Sequence, residues 1–397
     1  MTPARPLLLI HPPVAKPCEA PAGVARLAAA VKAAGVPCRV FDASIAGLLD
    51  LLETPRMVHD TWTRRALAKR DDHLAALRDP LVYGHRDRYR QVVADLSRLL
   101  LKAGGDKQIG FANYQDPQLS PVRSKDLLRA AEKYRNNPFH PSFSSRLETL
   151  MEDFSPEIVG ISVNFMSQAL TAFAIAGWLR RRHPRLLVVM GGGLITSWQQ
   201  IPGLGNPFAG LVDHLIAGPG EQALLNLCAP GRQVDEASQF APGSLPLNAY
   251  LAPGPVLPYS TATGCWWRRC AFCPETAEGQ RYRPLKGDTL SADLEKLKKQ
   301  MAPALIHFLD DALAPRLLTR LGDNPPGIPW YGFARITPHL ANRDFVAGLK
   351  ASGCVMLKLG IESGDQAVLD ALQKGTRIEM ASQVIRTLKT AGIGVYA

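Results

Sequence analysis

Cys265, Cys270 and Cys273 lie within nine residues, in the run Thr263-Gly264-Cys265-Trp266-Trp267-Arg268-Arg269-Cys270-Ala271-Phe272-Cys273-Pro274-Glu275. Thiols this dense on a short loop are the ligands of an iron–sulfur cluster. Three thiols serve three irons of a [4Fe–4S] cluster and leave the fourth open to a small molecule. Such a cluster is a reaction site as well as an electron carrier. A structural zinc site would want a fourth Cys or His nearby, usually as a second pair. The next candidates, His307 and Cys354, are far along the chain, so the iron–sulfur reading is preferred to the zinc one. The other cysteines, Cys18, Cys38, Cys228 and Cys354, stand alone and read as small buried hydrophobes.

The elements that must position this loop belong to a chain of 397 residues, long enough for two or three domains. Hydrophobic residues make up 46%, enough for a large core, and seven cysteines do not make a disulfide scaffold. Charge, Pro or Gly interrupts every apolar stretch before the roughly 20 residues of a membrane span. At the start only Leu7 to Ile10 are apolar in a row, too few for the core of a signal peptide. The expectation is a cytoplasmic protein with no membrane span. The net charge is +11. It is spread over Arg64-Arg65, Lys69-Arg70, Arg180-Arg181-Arg182 and Lys296 to Lys299, with no aromatic-interleaved basic motif. Solvated helix faces or an anionic ligand are therefore preferred to nucleic acid, though a nucleic-acid-binding metalloprotein remains an alternative.

Apolar runs and punctuating glycines predict an α/β chain. Pro6 to Ile10 reads as a buried strand, Gly23 to Ala34 as a crossover helix and Val36 to Phe41 as the strand parallel to the first. From about 46 to 153 the alternation is lost, and Arg, Leu and Asp recur at helical spacing, as in a helical insertion. The rhythm returns with strands at 157–163, 186–190 and 212–217 and helices at 167–182 and 222–228. These five strands describe a doubly wound parallel sheet. Residues 229–258 read as a linker. A second series follows, with strands expected at 259–263, 305–309, 330–334, 355–359 and 393–397 and helices at 291–300, 344–351 and 365–372. The thiol loop then leaves the carboxyl end of a strand, where parallel α/β barrels carry their active sites. The last strand looks interrupted, as if further β-α units belonged to a longer protein.

The run from Gly264 to Cys273 resembles the cluster loop of radical S-adenosylmethionine (SAM) enzymes, whose common spacing is C-x3-C-x2-C. This chain has C-x4-C-x2-C, one residue more. Three further segments extend the resemblance, which implies that Phe272 lies near the cluster and the SAM adenine. The acidic pair Asp310-Asp311 would meet the SAM amino group. In Leu359-Gly360-Ile361-Glu362-Ser363-Gly364, similar to the family's G-x-E-S-G segment, Glu362 and Ser363 would approach the SAM ribose and carboxylate. Val368 to Gly375 matches as well, and Arg335 would pair with the SAM carboxylate. The bland alternatives are a core role for Phe272, helix capping for the two aspartates and a surface ion pair for Arg335.

The first half resembles the cobalamin-binding domain often fused ahead of a radical SAM barrel. Ser162, Gly191, Gly192, Gly193, Gly218 and Glu221 fall at the strand ends expected to face cobalamin, and glycine there lets a large ligand approach the backbone. The D-x-H-x-x-G motif that supplies an axial His in many such domains is absent, and His11 does not fit it. The resemblance implies a cobalamin-binding-like domain over 1–228, with the insertion at about 46–153. The radical SAM domain over 259–397 would be a partial (β/α) TIM-like barrel, short at its C-terminus. It further implies reductive cleavage of SAM to a 5′-deoxyadenosyl radical. Methylation of an unactivated carbon would follow on a small molecule or peptide, with electrons from a flavodoxin or ferredoxin. A cobalamin-independent rearrangement, cyclisation or oxidation enzyme and a non-catalytic iron–sulfur remnant remain alternatives.

Overall fold

The computed structural model describes residues 3–53, 60–234, 242–277, 281–285 and 289–397. Residues 54–59 of the expected insertion and 235–241 of the expected linker lie outside the described residues. The chain forms two compact units, 1–253 and 254–397.

The first unit is built on strands β1 (Leu7–His11), β2 (Cys38–Asp42), β3 (Ile158–Ser162), β4 (Leu187–Gly191) and β5 (His214–Leu215). All pair in parallel, in the order β2-β1-β3-β4-β5. The order reverses at β1, so the crevice beyond the carboxyl ends of β1 and β3 is the topological switch point. Helices Ala22–Ala33, Met166–Arg182 and Gly193–Gln199 make crossovers. Strand residues alternate between two cores: Leu8, Ile10, Val159, Ile161, Val188 and Met190 face one, and Leu7, Leu9, Ile158 and Val189 the other. This is why the strands read as unbroken apolar runs. Residues 43–154 add helices and a two-residue hairpin, Gln108–Ile109 with Tyr114–Gln115. Their apolar residues join the larger core.

The stretch expected as a linker is partly built into this unit. Tyr250 is buried and its hydroxyl donates to Asp42 at 2.7 Å, while Leu251 N–H donates to the Pro17 carbonyl. Burial and the adjacent Asp42 carboxylate push the Tyr250 phenol far above its usual range. Of the lone cysteines, Cys38, Cys228 and Cys354 are buried, but Cys18 is exposed, contrary to the core role expected of it.

The second unit carries β6 (Val256–Tyr259), β7 (Leu305–Leu313), β8 (Trp330–Ala334), β9 (Cys354–Leu359) and β10 (Gly394–Tyr396). These pair in parallel in the order β10-β9-β8-β7-β6, an open sheet among the described residues. Two expectations shift. The first strand lies at 256–259 rather than 259–263, because Ala262–Thr263 turns away to pair antiparallel with Arg283–Pro284. The second strand runs on to Leu313, with a register break after Phe308. Asp310 and Asp311 thus sit inside β7, and Ala314, which offers no side-chain cap, holds the N-cap position of the helix Pro315–Asp323. One sheet face, with Ile306, Phe308, Trp330, Leu357 and Leu359, is buried; the other leaves Phe333 exposed. No described helix is long and apolar enough to cross a membrane.

A close helix contact tests the first unit. A Cβ on Gly177 would collide with the backbone carbonyl of Ala131, which cannot swing away as a side chain does. Gly177→Ala should cost about 1–3 kcal/mol through overpacking. A urea midpoint unchanged from wild type would contradict this packing.

Candidate functional site

The thiol loop begins with a backbone reversal. Gly264 has φ +69°, and a Cβ there would stand 2.9 Å from the Arg281 carbonyl, so the turn into Cys265 needs glycine. Past Cys270 the chain tightens: Cys273 N–H donates to the Cys270 carbonyl and Thr276 N–H to the Cys273 carbonyl. Cys270 is buried, and Cys265 and Cys273 are half-buried. Burial pushes the Cys273 thiol up, and Cys265 and Cys270 push the same way, so the three sulfurs lie in one electrostatic neighbourhood. Backbone N–H groups of Glu275 and Thr276 oppose that shift.

The segment after β9 packs on this loop. Ala271 N–H donates to the Leu372 carbonyl, and Trp267 Nε1 donates to the Gln373 carbonyl at 3.3 Å. Gly375, at φ +65°, lies so close under the Trp267 ring that a Cβ would collide with it. The Lys374 ammonium lies 2.8 Å from Glu362 Oε1 and 5.6 Å from the centre of the Phe272 ring. Arg335, buried just past β8, donates from Nη2 to the Lys374 carbonyl and from Nη1 to Cys270 Sγ at 3.7 Å. Its guanidinium stacks 4.0 Å from the Trp267 ring centre and 5.8 Å from that of Trp266. Burial lowers the guanidinium pKa, and Cys270 and Cys265, as thiolates, oppose that shift.

Four of the expected residues, Cys270, Phe272, Arg335 and Glu362, are therefore joined through Lys374 and Trp267. The others lie as follows. Asp310 is buried, and its carboxylate accepts from Thr261 N–H at 3.0 Å and Thr261 Oγ1 at 2.7 Å, tying the exit of β6 to β7. Burial raises its pKa, and the Thr261 hydrogen bonds oppose the rise. Asp311 is exposed. Ser363 Oγ accepts from Asp365 N–H within the turn that starts the helix Gln366–Ala371. The sequence motifs assign no role to Lys374, Trp266 or Trp267.

The donor set fits thiolates. A guanidinium N–H and two backbone N–H groups address the sulfurs. Among the described residues no three His, Cys, Asp or Glu side chains converge on a single metal ion. A cluster makes a different demand, since each thiolate takes its own iron.

In the first unit the expected cobalamin residues line the carboxyl edge. Gly192 has φ +104°, and a Cβ there would stand 2.6 Å from the Val163 carbonyl. Gly193 N–H donates to Asn164 Oδ1, and Asn164 Nδ2 donates to Ser162 Oγ. Asn164, unassigned from sequence, thus links the exits of β3 and β4. Gly191 ends β4, and Gly218, at φ +68° with open space around its Cβ direction, donates its N–H to Thr196. Glu221 pairs with Arg26 at 2.6 Å. Phe165 and Met166, at the switch point, are 57% and 40% exposed, apolar surface that a ligand would cover. His11 instead points inward, against Gln168.

No family model matches the chain. An uncharacterized methyltransferase of Pyrococcus horikoshii is 24% identical over 286 residues, 63% of this chain and 61% of that protein. The chain thus spans less than two thirds of that relative. The structure of TsrM from Kitasatospora setae, a radical SAM methyltransferase with tryptophan substrate and aza-SAM bound, superposes with a TM-score of 0.56. It covers 99% of this chain and 67% of that one at 18% identity. The chain shares its fold with TsrM. The cobalamin-dependent SAM radical enzyme OxsB aligns at a TM-score of 0.48 and 16% identity, over 68% of this chain and 45% of that one.

The inward histidine gives a pH test. Burial lowers the His11 pKa below 6.5, opposed in part by Asp42. The unfolded chain then takes its proton first. Stability is full above pH 6.5 and is lost as pH falls from there through the folded value, at up to about 1.4 kcal/mol per pH unit for one proton. His11→Gln should reduce the slope of unfolding free energy between pH 7 and 5. It should not abolish it, because burial also lowers His140 and His183. An unchanged slope would contradict the assignment.

Proposed function

We propose that this chain is a radical SAM enzyme of the cobalamin-using methyltransferase kind. The observation that carries this reading is the meeting of the three-thiol loop with Arg335, Lys374 and Glu362 beside a parallel sheet. The TsrM fold and the methyltransferase relative support it. In this reading the second unit is part of a (β/α) barrel, and 1–228 is a cobalamin-binding-like domain with its insertion at about 46–153.

Cys265, Cys270 and Cys273 would hold a [4Fe–4S] cluster. When bound, the cluster and SAM together supply a 5′-deoxyadenosyl radical, and cobalamin a methyl group, for an unactivated carbon of the substrate. The protein's part is to bind, orient and exclude water. Phe272 offers an exposed ring face to the adenine, and Glu362, steadied by Lys374, offers a carboxylate to the ribose. Ser363 stays near that turn. Asp310 holds the strand exit through Thr261, and of the acidic pair Asp311 keeps the exposed position for the SAM amino group. Ser162, Gly191, Gly192, Gly193, Gly218 and Glu221 would border cobalamin, with Phe165 and Met166 against its apolar surface. A small molecule or peptide would be methylated, with electrons from a flavodoxin or ferredoxin in the cytoplasm.

A second reading has one observation in its favour. Glu221 is held by Arg26 and Ser162 by Asn164, so two side chains expected at cobalamin already have partners. In that reading the first unit keeps the fold without the cofactor, and the chemistry is a rearrangement, cyclisation or oxidation. Cobalt content after incubation with hydroxocobalamin and gel filtration separates the two. Near one cobalt per chain is expected, and none would favour the second.

The enzyme reading is tested by anaerobic iron–sulfur reconstitution, reduction in the presence of SAM, and mass spectrometry for 5′-deoxyadenosine. Product is expected from the wild-type chain. Cys265→Ala, Cys270→Ala and Cys273→Ala should each abolish it, and product from any one would overturn the ligand assignment.

A further inference from the structure

Arg335 is a guanidinium that stays charged at any physiological pH, yet it is buried to 7% exposure. The partners the structure gives it are the Cys270 sulfur, the Lys374 carbonyl and the faces of Trp266 and Trp267. None of these carries a full negative charge while the thiols are protonated. A buried charge is tolerated when it is paired and hydrogen-bonded. The counter-charge available at this position is thiolate, and the Cys270 sulfur lies 3.7 Å from Nη1.

Resting on the cluster reading above, we propose that Arg335 is a positioning residue for the cluster rather than a ligand of the SAM carboxylate. It donates its Nη1 hydrogen to the Cys270 sulfur and makes the cluster easier to reduce. Reduction adds one electron to a site that already holds thiolates. A hydrogen bond to a ligating sulfur and a fixed positive charge both stabilise the more negative state. The effect is large because few waters screen the pair. The geometry is held from three sides. The Lys374 carbonyl takes the second Nη, Trp267 covers the guanidinium face, and Gly375 leaves room for the Trp267 ring. Lysine at this position would keep the charge but lose the planar fork and the stacking.

The test is a redox titration of the reconstituted full chain, followed by the electron paramagnetic resonance of the reduced cluster. At the potential where the wild-type cluster is half reduced, Arg335→Gln should lower the reduced-to-oxidised ratio about tenfold, a shift of about 59 mV for one electron. Arg335→Lys should recover part of it. Equal potentials in wild type and Arg335→Gln, with SAM binding weakened instead, would overturn the proposal and return Arg335 to the SAM carboxylate. If the glutamine variant fails to assemble, the wild-type chain decides. With guanidino-15N-arginine incorporated, electron–nuclear double resonance on the reduced cluster should show an arginine 15N coupling, and its absence overturns the proposal. A wild-type chain that takes up no iron overturns the proposed function, and this inference with it. A loaded chain lacking the coupling overturns the inference alone.

Discussion

Parallel strands cannot be joined by a tight turn; the chain must cross back over the sheet before each new strand begins. Every strand therefore leaves on the same edge, and that constraint organises both units. In the first, it gathers the segments after β1, β3, β4 and β5 at one edge, with a crevice where the strand order reverses. In the second, it brings together the thiol loop after β6, Arg335 after β8 and Glu362 after β9. Residues separated by tens of positions in sequence become neighbours because their loops leave the same edge of one sheet.

Within the second unit, a buried positive charge organises the local chemistry. Arg335 reaches a thiol, a carbonyl and two indoles, and each contact holds a different segment. The Lys374–Glu362 pair extends the network to the turn after β9, where Glu362 itself adopts φ +67°. Phe272 joins through the Lys374 ammonium. A loop that the sequence presents as three cysteines is thus embedded in cationic and aromatic surroundings, which suit thiolates better than thiols.

The first unit shows a different balance. Its polar edge groups largely satisfy one another: Asn164 with Ser162 and Gly193, Glu221 with Arg26, Thr196 with Gly218. What stays uncovered there is apolar, Phe165 and Met166. A ligand seated at this edge would gain chiefly by covering hydrophobic surface and approaching glycine backbone.

By itself the sequence determined the α/β class, most strand positions and the three thiols, because these depend on local signals: apolar runs of strand length, glycine at chain reversals, and cysteines a few residues apart. It also singled out Glu362 and Arg335. Only the tertiary structure decided that Arg335 meets Cys270, that Lys374 bridges Glu362 and Phe272, and that Asp310 is held by Thr261. It alone showed that β6 begins three residues early and that β7 runs on through the acidic pair. These outcomes depend on strand order and register, which place residues from distant segments side by side. No local pattern encodes how far a charged side chain will reach, or which sulfur, carbonyl or ring it will meet once the strands have paired.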